Sequence, residues 1–193
     1  MAQTVQLTLG AQVTCTDGKC GLVHSLVVDP AGPSVTHLVV EPEHRIGLGR
    51  LVPIGLVGSS GAVVELSCDL AKFNSLPLAE STELVPELGA GYVFLRSAEL
   101  QRPEVREVLP EGEAGLGSGT QVVATDGPVG VVAGLLTSAG DHRVISVLVS
   151  EERFPWGHKT LAIPIGAVAT FDGGVQLNLA TAEVERAAKN SSP

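Results

Sequence analysis

The sequence predicts an all-β chain made by tandem duplication: two small β-barrels, a partly structured linker between them and a short C-terminal helix. Three observations carry that expectation. The phrase Thr-Asp-Gly-x-x-Gly occurs at 16–21 and again at 125–130. The apolar residues are aliphatic and fall in short Val- and Leu-rich runs, with aromatics only 3% of the chain. Such runs, punctuated by Gly and Pro turns, are strand chemistry. Each copy is also too short to build two covering sheets, and closing one sheet on itself removes its exposed edges.

The repeat extends well beyond the turn. At an offset of 109, Gly10, Gln12, Val13, Thr16, Asp17, Gly18, Gly21, Val23, Leu26, Val35 and Val40 recur as Gly119, Gln121, Val122, Thr125, Asp126, Gly127, Gly130, Val132, Leu135, Val144 and Val149. The offset then becomes 111, and Pro53, Ile54, Gly55, Val57, Val64 and Leu66 match Pro164, Ile165, Gly166, Val168, Val175 and Leu177. Self-similarity of this kind outranks most other sequence signals. The two-residue insertion falls between "EPEHRIGLGR" and "SEERFPWGHK", as expected of surface loops.

Each copy yields five strands in the same order. The first has "AQVTCT", "GLVHSLVVD", "SVTHLVVE", "GRLVPIGLV" and "AVVELS"; the second has "TQVVAT", "VGVVAGLLTS", "RVISVLVS", "KTLAIPIGAV" and "GVQLNL". "TAEVERAAKN" predicts a helix with Thr181 as N-cap and Val184, Ala187 and Ala188 on one face. Residues 69–118 are the least regular part: a helical turn at "DLAKF", an extended run broken by Pro77 and Pro86, a candidate strand in "GYVFLRSAEL", and a Gly-rich approach, "EGEAGLGSGT", to the second copy. A solvated acidic linker is the alternative for this stretch.

The order Gly-x-x-Val, Asp-Gly, Gly-x-Val, a Val/Leu-rich strand and a later (V/I)P-I-G-x-V resembles the PRC-barrel family. That barrel is found in the photosynthetic reaction-centre H subunit and in a ribosomal small-subunit maturation factor. The resemblance covers roughly residues 5–75 and 115–185 and implies tandem PRC-type barrels, divided as 1–75, a 76–114 linker packing on the barrels, and 115–193 with the helix. It also implies an adaptor within a larger complex, photosynthetic, ribosomal or other, rather than a catalyst. This chain departs from both named members: its N-terminal half is a second PRC-like copy, and no membrane-spanning helix is expected.

Composition narrows the partners. The net charge is −9, with no basic stripe to grip phosphates, so direct nucleic-acid binding is not expected. "MAQTVQLTLG" has neither the basic start nor the apolar run of a signal peptide, and "VGVVAGLL" is too short to span a bilayer. A cytoplasmic location is the expectation. Three cysteines make no disulfide framework. Cys15 and Cys20 flank the first turn where the second copy has Ala124 and Val129, so reduced buried thiols are expected, with a cross-turn disulfide as the alternative.

Catalytic signals are weak. "GEAGLGSG" has phosphate-loop glycines but leads into a strand and lacks Lys. "GSSG" is no nucleophile elbow. His24, His37, His44, His142 and His158 show no metal-ligand spacing. No enzyme activity, metal or cofactor is expected. The sharper candidates are the paired loops after the third strands. Phe154, the lone Trp156, Arg153, His158 and Lys159 in the second copy, with His44 and Arg45 in the first, have the composition of a protein-binding or self-association surface. The alternative for Trp156 is a plug over the barrel mouth. A small-ligand or enzymatic role in a cleft between the barrels is the runner-up function.

Overall fold

The repeated phrase explains itself once its neighbours are known. In the computed structural model, which describes residues 4–42, 49–86, 101–150 and 160–190, it links a short strand to a long one in each copy. These are β2 (Gln12–Cys15) to β3 (Gly18–Asp29), and β11 (Gln121–Ala124) to β12 (Gly127–Ser138). Asp17 Oδ1 accepts the backbone N–H of Leu70 at 2.8 Å, and Asp126 Oδ1 accepts that of Thr181 at 2.8 Å. Each aspartate thus holds the first turn of the helix that ends its copy, α1 (Leu70–Ser75) or α2 (Thr181–Asn190), where unpaired N–H groups attract a carboxylate. The second glycine of each phrase has a different duty. A Cβ on Gly21 would overlap the carbonyl oxygen of Glu41, and one on Gly130 that of Ser150. Both sit at the same register shift, where the neighbouring strand comes too close for any side chain.

Asp126 carries a testable consequence. Its hydrogen bonds from the Thr181 hydroxyl and then the Thr181 N–H hold its carboxyl below the usual carboxylate range. A carboxylate with a depressed folded-state pKa contributes stability above its unfolded pKa and loses it as pH falls through the folded value. Asp126→Ala should therefore melt earlier than the parent at neutral pH, and the two melting curves should converge as the pH is lowered through the carboxylate range. Parallel curves at every pH would show that the charge adds nothing.

Two seven-stranded sheets carry the fold. One has the order β5-β4-β3-β2-β7-β6, with β4 Ser34–Glu41, β5 Arg50–Pro53, β6 Val57–Ser59 and β7 Val63–Leu66. The other has β14-β13-β12-β11-β16-β15, with β13 Val144–Ser150, β14 Thr160–Pro164, β15 Val168–Thr170 and β16 Val175–Leu177. In both, the first and last strands of the path are joined by one 3-10 turn, Ile54–Leu56 or Ile165–Ala167. A flat path of six strands would place its ends about 24 Å apart at roughly 4.8 Å per step, while a 3-10 turn rises only about 2 Å per residue. Each sheet must therefore curl strongly. The expected single strands "GRLVPIGLV" and "KTLAIPIGAV" are each two strands broken at Pro-Ile-Gly, because Pro53 and Pro164 lack the N–H that a continuing ladder needs.

The seventh strand of each sheet comes from the other copy. β1 (Thr4–Thr8) pairs antiparallel with β12, aligning Leu7 with Leu135. β10 (Ala114–Gly117), the stretch expected to be only a Gly-rich approach, pairs antiparallel with β3, aligning Leu116 with Leu26. Since 7 and 116, like 26 and 135, differ by the repeat offset, the two pairings are the same contact made reciprocally. The chain changes sheets within one residue: Leu9 N donates to Ala133 O, and Gly10 N donates to Val23 O. Gly10 makes that step at φ 75°, a conformation open to glycine. Two further bonds show the local twofold relation: Val35 N to His142 O at 3.0 Å and Val144 N to Pro33 O at 2.9 Å.

One contiguous apolar core results. It includes Leu7, Leu26, Leu116, Leu135, Phe73, Phe171 and Val184. A small second cluster of Val27, Val39 and Ala79, with Leu51 and Leu109 against it, lies on the outer side of the first sheet. Ala79 and Leu109 bring the stretch between the copies into that cluster, and the same stretch forms an antiparallel hairpin, β8 (Glu80–Pro86) with β9 (Gln101–Glu107). The candidate strand in "GYVFLRSAEL" lies outside the described residues. α2 has the expected span, but Thr181 is its first residue rather than its cap. Ala180 O accepts the first helical bonds, and Asp126 and Glu183 satisfy the entering N–H groups.

Candidate functional site

The seven loop residues singled out from the sequence, His44, Arg45, Arg153, Phe154, Trp156, His158 and Lys159, all lie outside the described residues. Their anchors are described. The first loop leaves β4 and enters β5, where Val40 pairs with Arg50; the second leaves β13 and enters β14, where Ser150 pairs with Thr160. Beside the first anchor, Leu22 is 45% exposed and aligned with Glu41. His24 Nδ1 stands 3.5 Å from Glu41 Oε2.

The cysteines differ from expectation. Cys15 and Cys20 form a disulfide across the hairpin, with their Cα atoms 6.0 Å apart. The β2–β3 register, with Cys15 opposite Gly18, brings the two side chains to the same buried face. The odd cysteine count concealed this pairing because Cys68 is buried separately and free. Burial pushes the Cys68 thiol up, and Asp69 and Asp17 add to the effect. A bridge closing so short a loop contributes about 2 kcal/mol on the chain-entropy account.

Polar side chains gather in two further places. Glu113 Oε2 accepts the Thr36 hydroxyl at 2.6 Å and stands 3.5 Å from His37 Nδ1. This group ties the segment before β10 to β4, so His37 is a structural neighbour of a carboxylate. Among the described residues, no cluster of three or more His, Cys, Asp or Glu is placed to hold a metal ion, and no helix is long and apolar enough to cross a membrane.

The other place is a cleft of about 420 Å³ where the copies meet. β1 forms one wall, the turn after Ile54 another, and the β12–β13 turn with His142 the third. A larger and more open hollow of about 600 Å³ lies at the glycine-rich turns around Gly119 and Gly173. Ser60 and His142 were not singled out as site residues in the sequence. The signal was nonetheless present: at the repeat offsets they face Phe171 and Pro33, chemically unlike residues in an otherwise matching frame.

The site and topology define a mostly-β protein with duplicated, strand-exchanged halves. No family model matches the chain, and no curated protein matches it.

Proposed function

We propose that the chain is a non-catalytic interaction or assembly module, two PRC-type barrels that present their third-strand loops to a protein partner in a larger complex. The observation that supports this best is the reciprocal strand exchange. A shared core makes one body of the two copies, so both loops are carried by equivalent hairpins held in fixed relation. Pre-arranged contacts cost less ordering on binding, and two linked contacts reinforce one another. Arg153, His158 and Lys159 put positive charge beside Phe154 and Trp156 on a chain of net charge −9, which suits an acidic rim on the partner.

Trp156 is the only tryptophan, so its fluorescence reports this loop alone. Trp156→Ala should weaken association, with the partner or between copies of this chain, by at least about 1 to 2 kcal/mol and leave the unfolding midpoint in place. A variant that melts much earlier and still binds would make Trp156 a cover over the barrel end. The sequence reading places the module in the cytoplasm, whereas a bridge such as Cys15–Cys20 persists in oxidising compartments. Thiol alkylation of protein taken directly from its cells distinguishes the two.

A further inference from the structure

We infer that the cleft between the two copies is a binding site for a small, neutral, hydroxyl-bearing aromatic molecule. The argument begins from the duplication. At the 111 offset Ser60 occupies the position of Phe171, and at the 109 offset His142 occupies that of Pro33. The frame around them is conserved between the copies. Ile54 and Val57 match Ile165 and Val168, and Ser67 N donates to Leu56 O as Asn178 N donates to Ala167 O. In the second copy Phe171 is 5% exposed and belongs to the core. In the first copy a serine replaces that ring, and a cleft of about 420 Å³ opens beside it.

The chemistry of the opening is specific. Val5, Leu7, Ile54 and Val57 supply apolar wall, with Ser60 and His142 among them. Among the described residues, Ser60 Oγ and His142 Nδ1 are buried polar atoms with no hydrogen-bond partner. Such atoms are rare because each carries an uncompensated desolvation cost. Both residues line one cleft, so a side-chain rotation that opens each atom to it would give the two a shared occupant. His142 is also the one described non-glycine residue with positive φ, at 53°, and backbone of this kind clusters at binding sites. The backbone is held there by His142 N to Ser138 O and Val35 N to His142 O.

Among the described residues, no Asp, Glu, Lys or Arg lines the cleft, so a charged ligand would lose its hydration without gaining a partner there. A phenolic ring fits both halves of the site. Its ring lies against the apolar wall of the cleft, and a rotation of the Ser60 and His142 side chains toward it lets its hydroxyl donate to His142 Nδ1 while accepting from Ser60 Oγ. The volume falls in the usual range for small-molecule sites, roughly 300 to 1,000 Å³.

Full-length protein titrated with p-cresol, followed by amide NMR, tests the assignment. Saturable shifts centred on Leu7, Ser60 and His142 are expected, with toluene at least about fivefold weaker for want of the hydroxyl. Ser60→Phe, which copies the second repeat, should abolish those shifts while keeping a folded spectrum. Ser60→Ala removes only the hydroxyl and should weaken p-cresol about five- to tenfold, which keeps the test available if the phenylalanine is not accommodated. Absence of shifts at these residues, equal binding of toluene and p-cresol, or undiminished binding by both variants would overturn the site.

Discussion

Alanine at Gly134 is expected to destabilise the protein by about 3 kcal/mol, the cost of forcing a methyl group into a packed strand contact. Gly134 lies on β12 opposite Thr8 of β1. A Cβ there would overlap the carbonyl oxygen of Leu7 and lie 3.0 Å from Thr8 Cα and 3.2 Å from the Leu7 carbonyl carbon. All three are backbone atoms of a paired strand, so relief requires β1 to lift away, exposing Leu7, now 1% exposed. The corresponding position in the first copy is Ser25, and its partner on β10 is Gly117. Each exchanged pair thus sets a glycine against a side chain, Thr8 with Gly134 and Gly117 with Ser25. Unexchanged strands would instead set Thr8 against Ser25 and leave two glycines facing. Urea unfolding of Gly134→Ala beside Gly55→Ala, whose Cβ meets nothing within 4 Å, isolates the effect. Equal stabilities for the two variants would mean that β1 does not dock closely on β12.

Phe171→Ala should cost about 3 to 5 kcal/mol, the usual loss when a buried ring is removed and its cavity persists. Phe171 is core in the second copy and 5% exposed, so its removal leaves a gap among buried side chains. Ser60→Phe is the mirror experiment and should hold or raise the melting temperature, because it fills an existing cleft. A loss below about 1 kcal/mol for Phe171→Ala would show a site that collapses freely, contrary to the range seen for rigid cores.

Much of this fold was legible residue by residue. The Val-rich run "SVTHLVVE" coincides with β4 (Ser34–Glu41), and the repeat offsets paired the five expected strands of one copy with those of the other, while β1, β10 and the two helices lay outside the matched residues. The purpose of Asp17 and Asp126 was not legible, because helix residues 53 and 55 positions away use them. The exchange was hidden for a different reason. Leu7 and Leu116 have the same apolar spacing toward either long strand, so local pattern gives no preference. The choice rests on long-range complements such as Gly134 with Thr8. Pro-Ile-Gly was read through as strand because flanking Val and Leu outweighed one proline. The cleft was not legible because Ser60 and His142 are distant in sequence and come together only where the two copies meet. The candidate loop residues were chosen on composition, and they fall outside the described residues.

The central claim is that the two copies exchange their first strands within one chain, and paired cysteines test it most directly. Thr4 lies opposite Ser138 across the β1–β12 ladder, at a separation where antiparallel partners, about 4.5 to 5.5 Å apart at Cα, fall in the range a disulfide spans. In an unexchanged fold Thr4 would lie opposite Asp29, 109 residues before Ser138. Mild oxidation of the full-length Thr4→Cys/Ser138→Cys protein should give an intramolecular cross-link in the monomer, while Thr4→Cys/Asp29→Cys should retain both thiols. A cross-link in the Asp29 pair and none in the Ser138 pair would contradict the exchange, and covalent dimers from the Ser138 pair would place it between chains instead.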